Sequence, residues 1–278
     1  MRRIGILHPG EMGVSVAASA INSGHDVFWA SADRSDETRR RAERHHLIEL
    51  DTLFELCQTC EIIVCVCPPD AAENVAQAVI HAGFKGLYLD ANAIAPQRSV
   101  SIGQRMQASG IQFVDGSIIG GPAWVSKETW LYLSGQSAEE AASCFSNGLL
   151  ETRILDRKIG KASALKMCYA AYSKGTTALL AAIIAAANEL GVRADLYTHW
   201  DMDQENFSSR VDGRVARATA KAWRFEGEMK EIAATLRDAG VPGEFHSAAA
   251  EVFHRMAVFK DRANNPSLDE VIQALLAG

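Results

Sequence analysis

The residues best suited to chemistry lie near the start of the chain, in a turn with the spacing of an anion-binding loop. An apolar segment, 3–7, runs into a turn from His8 to Gly13, and small residues predict a helix after it. Gly10 lets the backbone approach an anion, Gly13 lets the helix lie close to the strand, and the helix N-terminus offers free N–H groups. The turn therefore predicts a pyrophosphate site, although His8 replaces the first glycine of G-x-G-x-x-G; an ordinary strand-turn-helix is the alternative.

A lysine in an alanine-rich segment is the second candidate. Lys166 lies in a predicted helix that begins near residue 162, and Tyr169 and Ser173 share its helical face. An apolar environment favours the neutral amine that a general base needs. The alternative is a lysine whose stem lies on apolar surface while its ammonium reaches water.

The elements that position these residues alternate between strands and helices. Predicted strands 24–30, 61–67, 86–90 and 111–115 are separated by helical segments of about ten residues. This alternation predicts a Rossmann-type, doubly wound, mostly parallel sheet, so the fold class is α/β. Ligands bind at the carboxyl ends of such strands. Three such ends should therefore face the crevice of the turn: Cys67, Pro68 and Pro69, then Asn92, then Ile119, Gly120 and Gly121.

The pattern of predicted strands and helices changes after residue 116. Residues 129–134 predict an antiparallel strand, and from about Lys161 the chain is strongly helical. We predict a dinucleotide-binding domain over residues 1–160 and an all-α substrate and dimerisation domain over 161–278. The helix 162–190 is apolar almost all round, which indicates burial on several sides and favours a homodimer.

Composition narrows the class of protein. The 278 residues are 48% hydrophobic and 22% charged, with a net charge of −6. This balance gives no electrostatic reason to expect a nucleic acid or an anionic membrane as partner. The longest apolar run, 178–187, is about half of the roughly 20 residues that a membrane span needs. With no signal-peptide pattern at the N-terminus, we expect a cytoplasmic protein with a small-molecule substrate.

Four cysteines crowd into the segment 57–67. C-x-x-C pairs such as Cys57 and Cys60 occur in zinc sites, but Cys65 and Cys67 lie in a predicted buried strand, with no second pair at a finger-like distance. We therefore predict no metal site and expect reduced, buried cysteines.

The end of the second predicted strand bears on cofactor choice. An acidic residue there binds the ribose hydroxyls of NAD, whereas basic and hydroxyl side chains suit the 2′-phosphate of NADP. Ser31, Arg34 and Ser35 favour NADP, with Arg39 or Arg40 nearby, and Asp33 is the counterargument for NAD.

In order and spacing, these segments resemble the β-hydroxyacid dehydrogenase superfamily, which includes 3-hydroxyisobutyrate and 6-phosphogluconate dehydrogenases. The turn residues Pro9, Gly10, Glu11, Met12 and Gly13 resemble its G-L-G-x-M-G motif. Residues 90–96 resemble its D-x-S-T-I-x-P loop, and 113–121 resemble F-V-D-A-P-V-S-G-G. Gly160 and Lys166 match its G-x-x-x-x-x-K pattern, and Lys230 stands in a segment similar to its L-K-D-L.

The resemblance implies hydride transfer, with Lys166 as general acid/base. It also implies that the turn and Lys230 contact the cofactor, that Asn92 lies by the nicotinamide or substrate, and that residues 119–121 bind substrate. Tyr169 and Ser173 would supply polarity near Lys166, and a homodimer is implied as well.

Departures from the motifs indicate a divergent branch, and the helical segment 223–233 resembles that of phosphogluconate-dehydrogenase-like proteins with a distinctive C-terminal domain. Ile119 and Ala170 replace a serine and an asparagine of the motifs, while Asn92 and Ala93 replace a serine and a threonine. We therefore expect a larger or more apolar substrate than 3-hydroxyisobutyrate. Two alternatives stay open. An imine reductase shares the architecture, although Lys166 argues against it, and a non-catalytic NADP(H)-binding sensor is compatible with the lost polar residues.

Overall fold

The computed structural model describes residues 1–277. The chain divides into two compact units, Met1–Lys166 and Met167–Gly278. The division falls inside a long helix, a few residues beyond the boundary expected from the sequence.

The first unit is built on an eight-stranded sheet with the order β3-β2-β1-β4-β5-β6-β7-β8. Its strands are β1 (Arg3–Ile6), β2 (Asp26–Ala30), β3 (Ile48–Leu50), β4 (Ile62–Cys65), β5 (Leu87–Asp90), β6 (Gln112–Ile119), β7 (Trp130–Ser134) and β8 (Glu151–Asp156). Its helices are α1 (Glu11–Asn22), α2 (Asp36–Arg44), α3 (Leu53–Thr59), α4 (Ala72–His81), α5 (Pro96–Ala108) and α6 (Ala138–Ser143). Strands β1 to β6 pair in parallel, which confirms the doubly wound sheet.

The far edge of the sheet departs from the parallel pattern. Strand β7 pairs antiparallel with β6, as the sequence predicted, and β8 then pairs in parallel with β7. The sequence did not predict β8. Its residues from Arg153 to Asp156 are exposed, so the strand lacks the alternation of apolar and polar residues by which a half-buried strand is recognised.

Both faces of the sheet are covered, which explains the nearly continuous apolar strands. Alternate residues of β4 enter different cores: Ile62 and Val64 join one cluster, while Ile63 and Cys65 join the other. The side chain of Cys65 therefore lies in the same apolar layer as Tyr88 of β5.

Helices make up the second unit, as predicted. Helix α7 (Lys161–Glu189) runs into it from the first unit, and α8 (Arg193–Asp203), α9 (Phe207–Ala218), α10 (Ala222–Asp238), α11 (Glu244–Met256) and α12 (Leu268–Leu276) follow. Phe225 of α10 meets Phe253 of α11 edge to face, with ring centroids 5.3 Å apart. Lys174 of α7 pairs with the buried Glu228 of α10 and lies over the Phe225 ring.

Helix α7 is long and apolar enough to cross a membrane by length and composition alone. Half of its most apolar stretch is buried inside the protein, and core helices of soluble proteins can have the same length and composition.

Candidate functional site

The turn between β1 and α1 is built to accept a ligand at the helix N-terminus. Gly10 is the N-cap residue of α1, and no side chain at that position caps the first turn, whose N–H groups and helix dipole favour an anion. A Cβ atom at Gly13 would collide with the carbonyl oxygen of His8, whereas one at Gly10 would project into open space. Pro9 is buried, Met12 packs against the core and Glu11 is exposed at the start of the helix. The glycines thus fix the turn and leave its outer side open.

A cavity of about 350 Å³ lies beside this turn, within the first unit. Its size is in the range of small-molecule sites. The carboxyl ends of β1 and β2, the start of α3 and one face of α4 line it, with the side chains of Leu7, His8, Ala30, Ala32, Asp33, Arg34, Leu53, Asn74, Val75 and Ala78.

The residues after β2 differ in whether they already have hydrogen-bond partners within the protein. The Ser31 carbonyl accepts a hydrogen bond from the Arg39 guanidinium at 2.8 Å, and Arg39 also pairs with Glu49. The Ser35 hydroxyl caps α2 by accepting the Thr38 N–H at 3.3 Å. In contrast, Nε of Arg34 is buried with no hydrogen-bond partner among the described atoms. Arg34 also lines the cavity, so its guanidinium is a candidate donor to a ligand there.

Asn92 ties together the ends of β4 and β5. Its Oδ1 accepts the Cys67 N–H at 2.6 Å, its Nδ2 donates to the Cys65 sulfur at 3.4 Å, and its own N–H donates to Asp90 Oδ1 at 3.0 Å. The side chain is almost fully buried. Asn92 thus holds Cys67, followed by Pro68 and the buried Pro69, in a fixed path along the edge of the sheet.

A group of buried ionisable side chains lies under this edge. The sulfur atoms of Cys65 and Cys67 are 3.7 Å apart. Hydrogen bonding to Cys65, together with burial, raises the pKa of Cys67. Burial opposes ionisation of Cys65, but the interactions with Cys67 and His8 outweigh it and lower the pKa of Cys65. Burial and the nearby Cys65 sulfur raise the pKa of Asp90.

Lys166 points at the carboxyl end of β6. Its Nζ donates a hydrogen bond of 2.7 Å to the Ile118 carbonyl, and the side chain is partly buried. The half-buried Ile119 and the exposed Gly120 and Gly121 follow directly in the chain. Gly120 has φ +125°, and a Cβ there would press on the Glu128 carbonyl, so this loop requires glycine. The structure thus brings the predicted lysine and the predicted substrate loop together.

Asp115, which the sequence analysis did not single out, anchors the start of the lysine helix. Its Oδ2 accepts the N–H groups of Gly160, Ala162 and Ser163 at 2.9, 3.1 and 3.1 Å. Hydroxyl groups of Ser99, Ser134 and Ser163 complete the shell. One buried carboxylate thereby satisfies the free N–H groups that open α7. Its position within the F-V-D segment, on the strand that carries the substrate loop, was the signal available in the sequence.

Three predicted site residues belong to the second unit. Tyr169 is about half exposed on α7, and the Ser173 carbonyl accepts hydrogen bonds from Thr177 and Arg214. Lys230 donates to Glu226 at 2.6 Å, one turn away on the exposed side of α10.

Family comparisons agree with this geometry. Residues 3–146, just over half of the chain, match the model described as the NAD binding domain of 6-phosphogluconate dehydrogenase. Residues 187–256 match a domain of unknown function, DUF1932. An uncharacterized 28.5 kDa protein of Methanothermus fervidus is 26% identical over 194 residues, which span 70% of this chain and 74% of the relative.

Solved structures share the whole architecture. The Mycobacterium tuberculosis 3-hydroxyisobutyrate dehydrogenase, solved with L-serine, has a TM-score of 0.71 and 16% identity, covering 99% of both chains. An imine reductase from Myxococcus stipitatus, solved with NADP+, has a TM-score of 0.59 and 18% identity, also covering 99% of both. At these identities the likeness shows a common fold, on which dehydrogenases and imine reductases both occur.

Proposed function

The chain belongs to the family defined by the NAD-binding domain of 6-phosphogluconate dehydrogenase, a family of nicotinamide-dependent oxidoreductases, and from that premise we propose its reaction. It transfers a hydride between NADP and a hydroxyl or carbonyl carbon of a small molecule, with Lys166 as general acid/base. The observation that carries the proposal is the 2.7 Å hydrogen bond from Lys166 Nζ to the Ile118 carbonyl, one residue before the substrate loop.

The residues around the turn fit a dinucleotide. No side chain fits at Gly13, because a Cβ there would collide with the His8 carbonyl oxygen. The turn thus keeps the backbone close to a bound pyrophosphate at the N-terminus of α1, which has no side-chain cap. The adjoining cavity would hold the adenosine half, and the unpaired Nε of Arg34 would bind a 2′-phosphate. Asp33 lines the same cavity and is the feature that would favour NAD. We favour NADP because the partly buried Arg34, whose Nε has no partner among the described residues, would gain more from a phosphate than from a hydroxyl.

When bound, the dinucleotide supplies the hydride acceptor or donor at C4 of its nicotinamide. As a substrate hydroxyl is oxidised, its proton passes to the neutral amine of Lys166; in the reverse direction the ammonium returns that proton to the oxygen. The Ile118 carbonyl orients Nζ, and the N–H groups of Gly120 and Gly121 are offered to the substrate. Asn92 keeps Cys67 and the prolines after it in place beside the cofactor.

The test replaces Lys166 with methionine, which keeps the length of the side chain and removes the proton carrier. General acid/base catalysis contributes about 10²–10⁴-fold, so Lys166→Met should lower kcat by that factor while NADPH binding persists. Lys161→Met, at an exposed position on the same helix, is the matched control and should leave kcat unchanged.

The assay panel should contain hydroxyacids, alcohols, aldehydes and cyclic imines. Reduction of imines without turnover of any alcohol or carbonyl would replace this proposal with imine reduction. Binding of NADPH with no turnover across the panel would support a non-catalytic sensor instead.

We further propose a substrate larger or more apolar than 3-hydroxyisobutyrate. Ile119 occupies the place where the family motif has serine, and a substrate group left without that hydroxyl would lose roughly 1–3 kcal/mol. An apolar group placed beside Ile119 would instead gain about 25 cal/mol per Å² buried. Ile119→Ser should therefore lower kcat/KM for bulky apolar substrates and raise it for the smallest hydroxyacids. Highest wild-type kcat/KM on those smallest hydroxyacids would contradict the proposal.

We propose that the protein acts in the cytoplasm as a homodimer. Its binding partner other than the second copy is the small-molecule substrate. The net charge of −6 supports neither a nucleic acid nor an anionic membrane as a partner.

A further inference from the structure

Three side chains that can bind a transition metal meet beside the turn between β1 and α1. The pairing of Ile6 with Val64 sets the end of β1 beside the end of β4, so His8 comes next to Cys65 and Cys67. One ring nitrogen of His8 and the two sulfur atoms all lie within 4.8 Å of one another. His8 lies more than fifty residues before these cysteines in the sequence, and only the pairing of β1 with β4 brings it to them.

The spacing of the two sulfur atoms matches that of a zinc site. A tetrahedral zinc ion with Zn–S bonds of about 2.3 Å separates two thiolate sulfurs by about 3.8 Å. Cys65 and Cys67 already place their sulfur atoms 3.7 Å apart. Both side chains are buried, and Nδ2 of Asn92 donates to the Cys65 sulfur, as outer-shell groups at metal sites orient their ligands.

Two buried polar atoms beside these groups lack a partner among the described residues. They are Nδ1 of His8 and Oδ2 of Asp90, and Asp90 is only 1% exposed. Burial of a polar atom without a hydrogen bond is costly, and burial of a charge is more so. A cation bound by the two sulfur atoms would give a ring nitrogen of His8 a ligand role.

We propose that His8, Cys65 and Cys67 bind one Zn²⁺ ion per chain. Two sulfurs and one imidazole form a donor set that suits zinc and excludes Mg²⁺ and Ca²⁺, which need oxygen ligands. Each thiol gives up its proton to solvent as its sulfur binds the metal. Three protein ligands leave the fourth tetrahedral position for a water molecule or an oxygen of a bound small molecule.

The experiment uses the full chain, reduced and stripped of metal with a chelator, and without dinucleotide. Zn²⁺ is titrated against a chromophoric chelator, and we expect one equivalent to bind. Cys65→Ser, Cys67→Ser and His8→Asn should each abolish this stoichiometric uptake. Cys57→Ser and Cys60→Ser are the matched controls, because both residues are buried cysteines of the same core cluster, in and directly after α3, and these variants should bind zinc as the wild type does.

Two further readouts separate ligation from folding. Co²⁺ in the site should show thiolate-to-metal charge-transfer absorption, weakened when one cysteine is replaced. Asn92→Ala, which keeps all three ligands, should weaken zinc binding by about 10–100-fold. Circular dichroism checks that each variant is folded. If Cys65→Ser or Cys67→Ser prevents folding, His8→Asn still tests the site, because His8 is only partly buried and lies in a turn.

Failure of a folded, reduced wild-type chain to take up zinc would overturn the proposal. So would uptake that survives loss of Cys65 and Cys67 but disappears with loss of Cys57 and Cys60. NADPH binding and turnover are measured separately, so either result leaves the oxidoreductase proposal to its own test.

Discussion

At the scale of single residues, cofactor choice depends on one arginine. Of the basic and hydroxyl side chains after β2, Ser35 caps a helix and Arg39 pairs with Glu49, whereas the Arg34 Nε has no partner. A charged hydrogen bond to a phosphate contributes about 1.5–3 kcal/mol, and NADH has no 2′-phosphate to receive it.

Arg34→Ala should therefore raise the Kd for NADPH about tenfold or more and leave the Kd for NADH nearly unchanged. Quenching of protein fluorescence by each cofactor measures both constants. Arg40→Ala, an exposed neighbour on α2, is the control and should change neither constant. Equal weakening of both cofactors would rule out the assignment of Arg34 to the 2′-phosphate.

At the scale of elements, the connection from β6 to α7 depends on Asp115. Its carboxylate accepts three backbone N–H groups and three hydroxyl groups, and so joins the substrate strand to the start of the lysine helix. An asparagine side chain has one acceptor oxygen instead of two, and its NH2 group would point at N–H or O–H donors that now bond to the Asp115 carboxylate.

Asp115→Asn should lower the free energy of unfolding by about 3 kcal/mol or more, because several buried N–H groups lose their acceptor. Urea denaturation measures this loss. Asp156→Asn, at an exposed aspartate whose carboxylate accepts the Lys158 N–H, should cost far less. Equal losses in the two variants would show that the shell around Asp115 is dispensable.

A second element, α12, depends on its capping box. The Glu270 carboxylate accepts the Ser267 N–H at 2.8 Å, while the Ser267 hydroxyl accepts the Glu270 N–H. The Ser267 N–H, the Arg262 guanidinium and the Ser267 hydroxyl lower the pKa of Glu270 from its ordinary 4.5 to about 2.

Because the pKa is lower in the folded than in the unfolded chain, Glu270 stabilises the fold above its ordinary pKa, and this contribution disappears as pH falls from 4.5 towards 2. Wild type should thus unfold at a higher temperature than Glu270→Gln at neutral pH, and the difference should shrink over this acidic range. Melting curves followed by circular dichroism across the range provide the measurement; a difference independent of pH would contradict the assignment.

At the scale of the whole molecule, α7 exposes an apolar seam. Tyr169, Tyr172 and Leu179 are 49%, 74% and 42% exposed, and the partly buried Ile183 follows them. Their spacing of three, seven and four residues is the heptad pattern by which helices pack together. Large apolar side chains aligned in this way indicate a protein interface.

We therefore predict that the wild type has twice the chain mass in light scattering at micromolar concentration. Replacing Tyr172 and Leu179 together with glutamate should produce a monomer, because charges would be buried at the seam. Phe54→Glu, at an exposed aromatic residue of the first unit, should leave the dimer intact. A wild-type monomer would refute the dimer outright.

The sequence predicted features that depend on local pattern and missed those that depend on distant residues. The apolar strands, the glycine turn and the Lys166 helix were predicted because neighbouring residues specify them. Strand β8 was missed because its side chains are exposed, although β7 still provides it with a hydrogen-bonding edge. The Asp115 shell and the His8 cluster were missed because separate elements of the fold supply their members.

The continuity of α7 has a consequence for how such chains diversify. Lys166 is the last residue of the first unit and Met167 the first of the second, within one uninterrupted helix. A genetic crossover after codon 166 would leave the proton carrier with the dinucleotide unit while importing a different helical unit. Each residue inserted at the joint would turn all that follows by about 100°, since a helical turn holds 3.6 residues. Recombination should therefore preserve the residue count at this joint, or change it by about seven.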